Sequence, residues 1–186
     1  MVAMIQPPLY VIKITLDGAN PPVSRLVKIR SDIPLDVLHK VIQKAMGWQD
    51  CHLHQFIVGK TRYSLPTDYG MEKMDEREFS LREIAPNKGA KLKYEYDFGD
   101  SWIHIIQVQQ VIADKSGFSH PECLGGENAC PPEDIGGVWG YAELQEILKN
   151  PKREEYEHYR DWAGPGFDPA AFNLKKVNAA LKRIKT

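Results

Sequence analysis

The stretch that most narrows what this chain can fold into is residues 91–98, which alternates without a break. Leu92, Tyr94, Tyr96 and Phe98 fall on one side and Lys91, Lys93, Glu95 and Asp97 on the other, the period of two expected of a half-buried β-strand. Residues 101–112 form a second, longer strand. Between the two, Phe98-Gly99-Asp100-Ser101 has the form of a two-residue hairpin loop, with glycine where a type II′ turn requires it. Counting outward from that turn pairs Asp97 with Trp102, Tyr96 with Ile103, Glu95 with His104 and Tyr94 with Ile105. On this register Tyr94, Tyr96, Ile103 and Ile105 share an apolar face, and Glu95, Asp97, Trp102 and His104 share the other.

The register supplies a first candidate for chemistry. Directly opposed residues bring their Cβ atoms to about 5 Å and diagonal ones to about 7–8 Å, so Glu95 meets His104 with Asp97 close by. A carboxylate beside an imidazole raises the histidine pKa towards neutrality. Such a group acts as a general acid or base, or helps to hold a divalent ion. The plainer role is a cross-strand ion pair beside a half-buried Trp102. A slip of one residue dissolves the cluster.

Other elements follow from the same patterns. Residues 9–16 and 23–30 read as strands separated by a turn-forming Asp17-Gly18-Ala19-Asn20-Pro21-Pro22. Residues 34–46 form a helix opened by Pro34 and stopped by Gly47, with Leu35, Leu38, Val41, Ile42 and Ala45 as its apolar stripe. Residues 52–58 resume strand character, and a polar, irregular region runs to about residue 88. Helical patterns occupy residues 141–149, 152–162 and 173–184. Strands first and helices last indicate an α+β fold: a mixed or antiparallel sheet, a long helix in the N-terminal half, a central β-hairpin and C-terminal helices. The 186 residues suit a single domain spanning 1–186, with its helical part from about 139.

The loop over residues 113–140 is rich in Gly, Pro and Cys and too long for a mere connector. His120, Cys123 and Cys130 are of zinc-ligand type, but six residues separate the cysteines and a closed site needs four ligands. Buried thiols or a disulfide are the alternatives. Gly136 and Gly137 precede a helix, where backbone amides can cradle a phosphate. Glu133 and Asp134 just upstream would repel that anion, so a tight structural turn is the better reading. His52 and His54, two apart on one strand face, have a spacing that suits ligands and also arises by coincidence; His39 sits beside the helical stripe as a boundary histidine.

Charge and cysteine usage set limits. The 24 basic and 25 acidic residues leave a net charge of −1, against binding to nucleic acid through bulk charge. Lys175, Lys176, Lys182, Arg183 and Lys185 form a local basic end, either a solvated face or a nucleic-acid contact. No apolar run approaches the roughly 20 residues that span a bilayer, and residues 1–8 lack the pattern of a signal peptide. Three cysteines, an odd number, fit a reducing, cytoplasmic setting.

Taken together, Tyr94-Glu95-Tyr96-Asp97-Phe98-Gly99-Asp100-Ser101-Trp102-Ile103-His104 and Cys130-Pro131-Pro132-Glu133-Asp134-Ile135-Gly136-Gly137 resemble the plasmid pRiA4b Orf-three-like family. Leu38-His39, Gly47-Trp48, His52-Leu53-His54 and Phe167-Asp168-Pro169 support the resemblance, which covers nearly the whole chain. It departs at Ser24, where the family usually has Trp, and at Asn173, where it usually has Asp. The resemblance implies an α+β domain from a largely uncharacterised group, some of whose members are associated with mobile elements, and it supplies no reaction. The expected function is a binding or interaction domain without demonstrated catalysis. The alternatives are a metal-dependent hydrolase of phosphodiesters, with Glu95, Asp97 and His104 as ligands or base and Asp100 at the rim, and a nucleic-acid-binding protein. The cofactor expected, if one is used, is a divalent metal such as zinc.

Overall fold

Strand β1 (Leu9–Leu16) pairs antiparallel with β2 (Ser24–Arg30) at the start of the structure, a computed structural model that describes residues 6–66, 73–114 and 117–184. Helix α1 (Leu35–Met46) follows, with Pro34 in extended conformation at its N-cap rather than inside its first turn. Its stripe of Leu35, Leu38, Val41, Ile42 and Ala45 is wholly buried, the amphipathic pattern used as expected. Gly47 adopts φ 118° and its amide closes the helix on the carbonyl of Gln43, a turn that a side chain would resist. Then come β3 (His54–Val58), β4 (Thr61–Ser64), β5 (Met74–Asp75), a 3-10 turn (Glu76–Glu78) and the short α2 (Leu81–Ile84). Strand β3 answers to the strand expected over residues 52–58, and the pieces after it lie within the region whose sequence reads as irregular.

Strands β6 (Lys91–Tyr96) and β7 (Trp102–Ile112) form the central hairpin. Strand β8 (Glu122–Glu127) and helices α3 (Gly137–Leu148), α4 (Tyr156–Ala163) and α5 (Leu174–Leu181) complete the chain. The eight strands make one sheet in the order β5-β4-β3-β6-β7-β1-β2-β8. All pairings are antiparallel except β4 with β5, so the sheet is mixed and the α+β class holds. Helix α5 lies against α1 and β8, and its N-cap Asn173 accepts from the amide of Lys176.

The hairpin register is one residue away from the expected one. Tyr96 pairs with Trp102, Glu95 with Ile103 and Tyr94 with His104. The connection is a five-residue loop, residues 97–101, in which the Ser101 amide donates to the carbonyl of Asp97 at 2.6 Å. Asp97 and Ser101 take φ of 57° and 52°, a left-handed region that aspartate tolerates better than most residues. The Asp97 side chain accepts from the Gly99 amide at 2.9 Å, a local turn that outcompetes the two-residue one. Because side chains alternate, this shift moves Trp102 and His104 onto the buried face with Tyr94 and Tyr96.

Strand β8 is the other element hidden in the sequence, lying inside the Gly- and Cys-rich loop. It pairs along β2 with a bulge that skips Leu124. A Cβ at Gly126 would stand 2.7 Å from the carbonyl of Ser24 and 2.8 Å from the Phe172 ring, so the close packing of β2, β8 and the segment before α5 needs glycine there. Helix α3 likewise begins four residues earlier than expected. A Cβ at Gly140 would run into the carbonyl of Ile135. Gly140→Ala is therefore expected to destabilise by about 3 kcal/mol or more through backbone displacement. Gly125→Ala, which meets nothing within 4 Å, should cost under about 1 kcal/mol by comparison. Paired urea melts check the contrast, and equal midpoints would refute it.

Candidate metal centre

Three segments meet beside the hairpin loop: the turn between α1 and β3, the loop of residues 97–101, and the acidic loop before α3. Each is anchored by main-chain bonds. The amide of Asp97 donates to the carbonyl of Leu53 at 2.9 Å, tying the hairpin loop to the first turn. The Gly136 amide donates to Asp100 Oδ2 at 3.1 Å, tying the hairpin loop to the start of α3. The Gln49 amide donates to Glu133 Oε1 at 2.7 Å, closing the triangle.

His52 stands at the centre of the junction. Its Nε2 is 3.0 Å from Asp134 Oδ1, 3.7 Å from Asp97 Oδ2 and 4.0 Å from Glu133 Oε2. The carboxylates of Asp97 and Glu133 are only 10% and 8% exposed. Neither His52 Nε2 nor Glu133 Oε2 makes a hydrogen bond, though both atoms are buried. Among the described residues, no lysine or arginine pairs with Asp97, Glu133 or Asp134. Buried polar atoms are nearly always partnered, and donors around a zinc-sized ion stand roughly 3–4 Å apart. The donors form two sets that share His52: Cys51, His52 and Glu133, and His52, Asp97 and Asp134, each with its atoms within 4.8 Å of one another.

Tyr96 braces one of these sets. Its hydroxyl donates to Glu133 Oε1 at 3.2 Å and accepts from the Cys51 amide at 3.0 Å. Burial above all pushes the Tyr96 phenol well above its usual pKa, so the group stays protonated as a donor. Glu133 Oε1 thus takes two donors, which leaves Oε2 aimed at His52. The Glu133 carbonyl is held in turn by Trp162 Nε1 at 3.1 Å. Orienting bonds of this kind are what metal-ligating carboxylates ordinarily require.

The profile of the plasmid pRiA4b ORF-3-like protein matches residues 8–176. The chain belongs to the plasmid pRiA4b ORF-3-like family. It is 39% identical over 173 residues to the uncharacterized protein y4hQ of Sinorhizobium fredii (strain NBRC 101917 / NGR234), covering 91% of this chain and 89% of that one. The crystal structure of a protein of unknown function, MM3350 from Methanosarcina mazei Go1, superposes with a TM-score of 0.81 at 34% identity, covering 90% of this chain and 96% of that one. In this family member Ser24, where Trp is usual, is buried and donates to Glu127 Oε2 at 2.9 Å.

Residues singled out in the sequence fare differently. Asp97, Glu133 and Asp134 come together, and His52 joins them. Glu95 does not meet His104; it accepts from Gln55 Nε2 at 2.6 Å and from Ser101 Oγ at 3.1 Å. Trp102 is fully buried. Asp100 accepts from the amide before α3, at the helix start where a phosphate would otherwise lie, and the Gly136-Gly137 turn packs against its backbone. Cys123 is buried with its thiol on the carbonyl of Gly125, and His120 is half-buried beside Ser119. Among the described residues His120, Cys123 and Cys130 share no ligand cluster, and all three cysteines of the chain are free thiols. Burial raises the pKa of both Cys123 and Cys130. Lys175, Lys176, Lys182 and Arg183 on or just past α5 are exposed, and Lys185 lies outside the described residues. Among the described residues no helix is long and apolar enough to cross a membrane.

The spacing of His52 and His54 suggests a shared strand face, which hides the separate role of His52. Strand β3 instead begins at His54, whose Nε2 lies 3.0 Å from both oxygens of buried Glu76 and whose ring stacks on His39 at 3.6 Å. No local signal separates the two histidines; only the chain's exit from α1 does.

His104 belongs to the core. Trp48 Nε1 donates to its Nε2 at 3.1 Å, so Nδ1 carries the proton and donates to the carbonyl of Trp102 at 3.1 Å. Burial pushes its pKa down to about 4. The unfolded chain takes up this proton near pH 6.5, so between that value and about 4 the unfolded state binds more protons. Stability present above pH 6.5 is therefore lost as pH falls through this window, by about 3 kcal/mol in total. His104→Gln, which keeps an acceptor for Trp48, should show a shallower acid limb in chemical denaturation across that range. Parallel limbs would mean that His104 does not carry this dependence.

Proposed function

We propose that this protein is a cytoplasmic metal-binding domain spanning residues 1–186 and that its ion sits at the junction of residues 48–53, 97–101 and 133–134. The observation that carries the reading is the pair of buried atoms that make no hydrogen bond, His52 Nε2 and Glu133 Oε2, 4.0 Å apart and flanked by the carboxylates of Asp97 and Asp134. An imidazole and carboxylates are ligands for divalent first-row ions. A cation also offsets the mutual repulsion of Asp97, Glu133 and Asp134, which no lysine or arginine among the described residues relieves. Three free thiols fit a reducing compartment.

Binding an ion that cross-links three loops is the role the geometry supports. Protein purified without added metal, then analysed for metal content, should carry about one divalent ion per chain. Its removal by chelator is expected to lower thermal stability by a margin corresponding to about 3 kcal/mol or more at saturating metal. His52→Ala and Glu133→Gln should abolish that metal-dependent shift while leaving a folded protein. A chain that binds no zinc, manganese or cobalt in calorimetry overturns the proposal.

A further inference from the structure

Two donor sets share one imidazole nitrogen, and a single lone pair serves one ion. An ion placed among His52, Asp97 and Asp134 would leave Glu133 Oε2 buried and unpartnered. It would also depend on Asp134, whose backbone takes φ 56°; each set has one exposed member, Asp134 in the first and Cys51 in the second. An ion placed among Cys51, His52 and Glu133 satisfies both orphaned atoms at once. This second set is also the braced one. The Tyr96 hydroxyl holds the Cys51 amide at 3.0 Å, lies 3.6 Å from Cys51 Sγ and donates to Glu133.

We propose that Cys51 is a thiolate ligand of the ion, together with His52 and Glu133, and that the fourth position stays open beside Asp97 and Asp134. The inference rests on the metal-binding reading and goes past it by naming the ion class and the ligand set. A sulfur, a nitrogen and an oxygen select a borderline ion such as Zn2+ or Co2+ over Mg2+ or Ca2+, which take oxygen ligands. Three protein ligands and an open position are the form that zinc takes where it holds a water. Asp97 Oδ1 is already occupied by the Gly99 amide, and Oδ2 is left free on the His52 side. A water in the open position donates a hydrogen bond to that oxygen, so Asp97 acts as a positioning residue outside the metal's own ligands.

Cobalt substitution tests this in the full chain. Metal-free protein titrated with Co2+ should develop a near-ultraviolet thiolate-to-cobalt charge-transfer band together with the visible bands of a four-coordinate ion. Cys51→Ser should remove the first band and weaken binding by more than about tenfold, while Asp134→Asn leaves the charge-transfer band in place. Acetohydroxamate added to the cobalt protein should change the visible bands by occupying the open position. In the unmodified protein, stoichiometric zinc should slow alkylation of Cys51 by iodoacetamide at least tenfold, as read by peptide mass. Cobalt bound without a charge-transfer band, a band that survives Cys51→Ser, bands indifferent to acetohydroxamate, or alkylation indifferent to zinc each overturns the inference and leaves metal binding intact. Failure to take up cobalt, zinc or manganese at all overturns the metal-binding reading itself.

Discussion

The amide of Ser101 donates to the carbonyl of Asp97, closing the hairpin loop, and much of the structure depends on that turn. It ends the β6–β7 ladder at Tyr96 and Trp102 and lengthens the connection to five residues. The buried face of the hairpin thereby becomes Tyr94, Tyr96, Trp102 and His104. The amide of Asp97 extends the β3–β6 ladder to the carbonyl of Leu53, which is why the Asp97 carboxylate comes to stand beside His52. Core register and candidate site thus meet at one loop: moving it would turn Trp102 and His104 out of the core.

The segment that carries Cys51 and His52 is held from both ends. Its start is fixed by Arg25, a buried guanidinium that donates to the carbonyls of Ala45 at 2.9 Å and Met46 at 3.4 Å at the end of α1, and to the carbonyl of Glu127 at 2.9 Å in β8. A cation at the open carbonyls of a helix C-terminus is favourable, and stacking on Phe172 at 4.7 Å adds to it. Trp48 then anchors the chain in the core through His104. Past the site, His54 is locked by Glu76 and by its stack on His39. The ligands sit on a short span between two rigid anchors, and rigid anchors keep donor atoms in place without the ion.

Electrostatics explain why the junction reads as incomplete without a cation. Buried charges are normally paired, because removing an unpaired charge from water costs several kcal/mol. Arg25, by contrast, has a full complement of carbonyl partners. Asp97 and Glu133 each have one oxygen satisfied by amides or a phenol and one turned towards His52. Half-satisfied carboxylates of this kind converge here from loops far apart in the chain, with the His52 imidazole between them, the arrangement that the proposed cation would complete.

Much was legible in the sequence. The limits of β1, the stripe and glycine stop of α1, the existence of the β6–β7 hairpin and the helical C-terminal part follow from periodicity and turn chemistry, which act over a few residues. The acidic character of Glu133 and Asp134 and the nearness of Asp97 to a special loop were also visible. Register was not, because two turn types compete at Gly99, and the five-residue one that wins closes on the carbonyl and carboxylate of Asp97 while packing Trp102 and His104 into the core. Strand β8 was not, because Gly125 and Gly126 have little intrinsic preference for a strand and are recruited by the open edge of β2. His52 and Cys51 looked like ordinary loop residues. The local sequence specified the elements and their donor side chains; which donors face one another was decided only when the hairpin loop, the exit from α1 and the acidic loop packed together, since such contacts depend on distance in space and not along the chain.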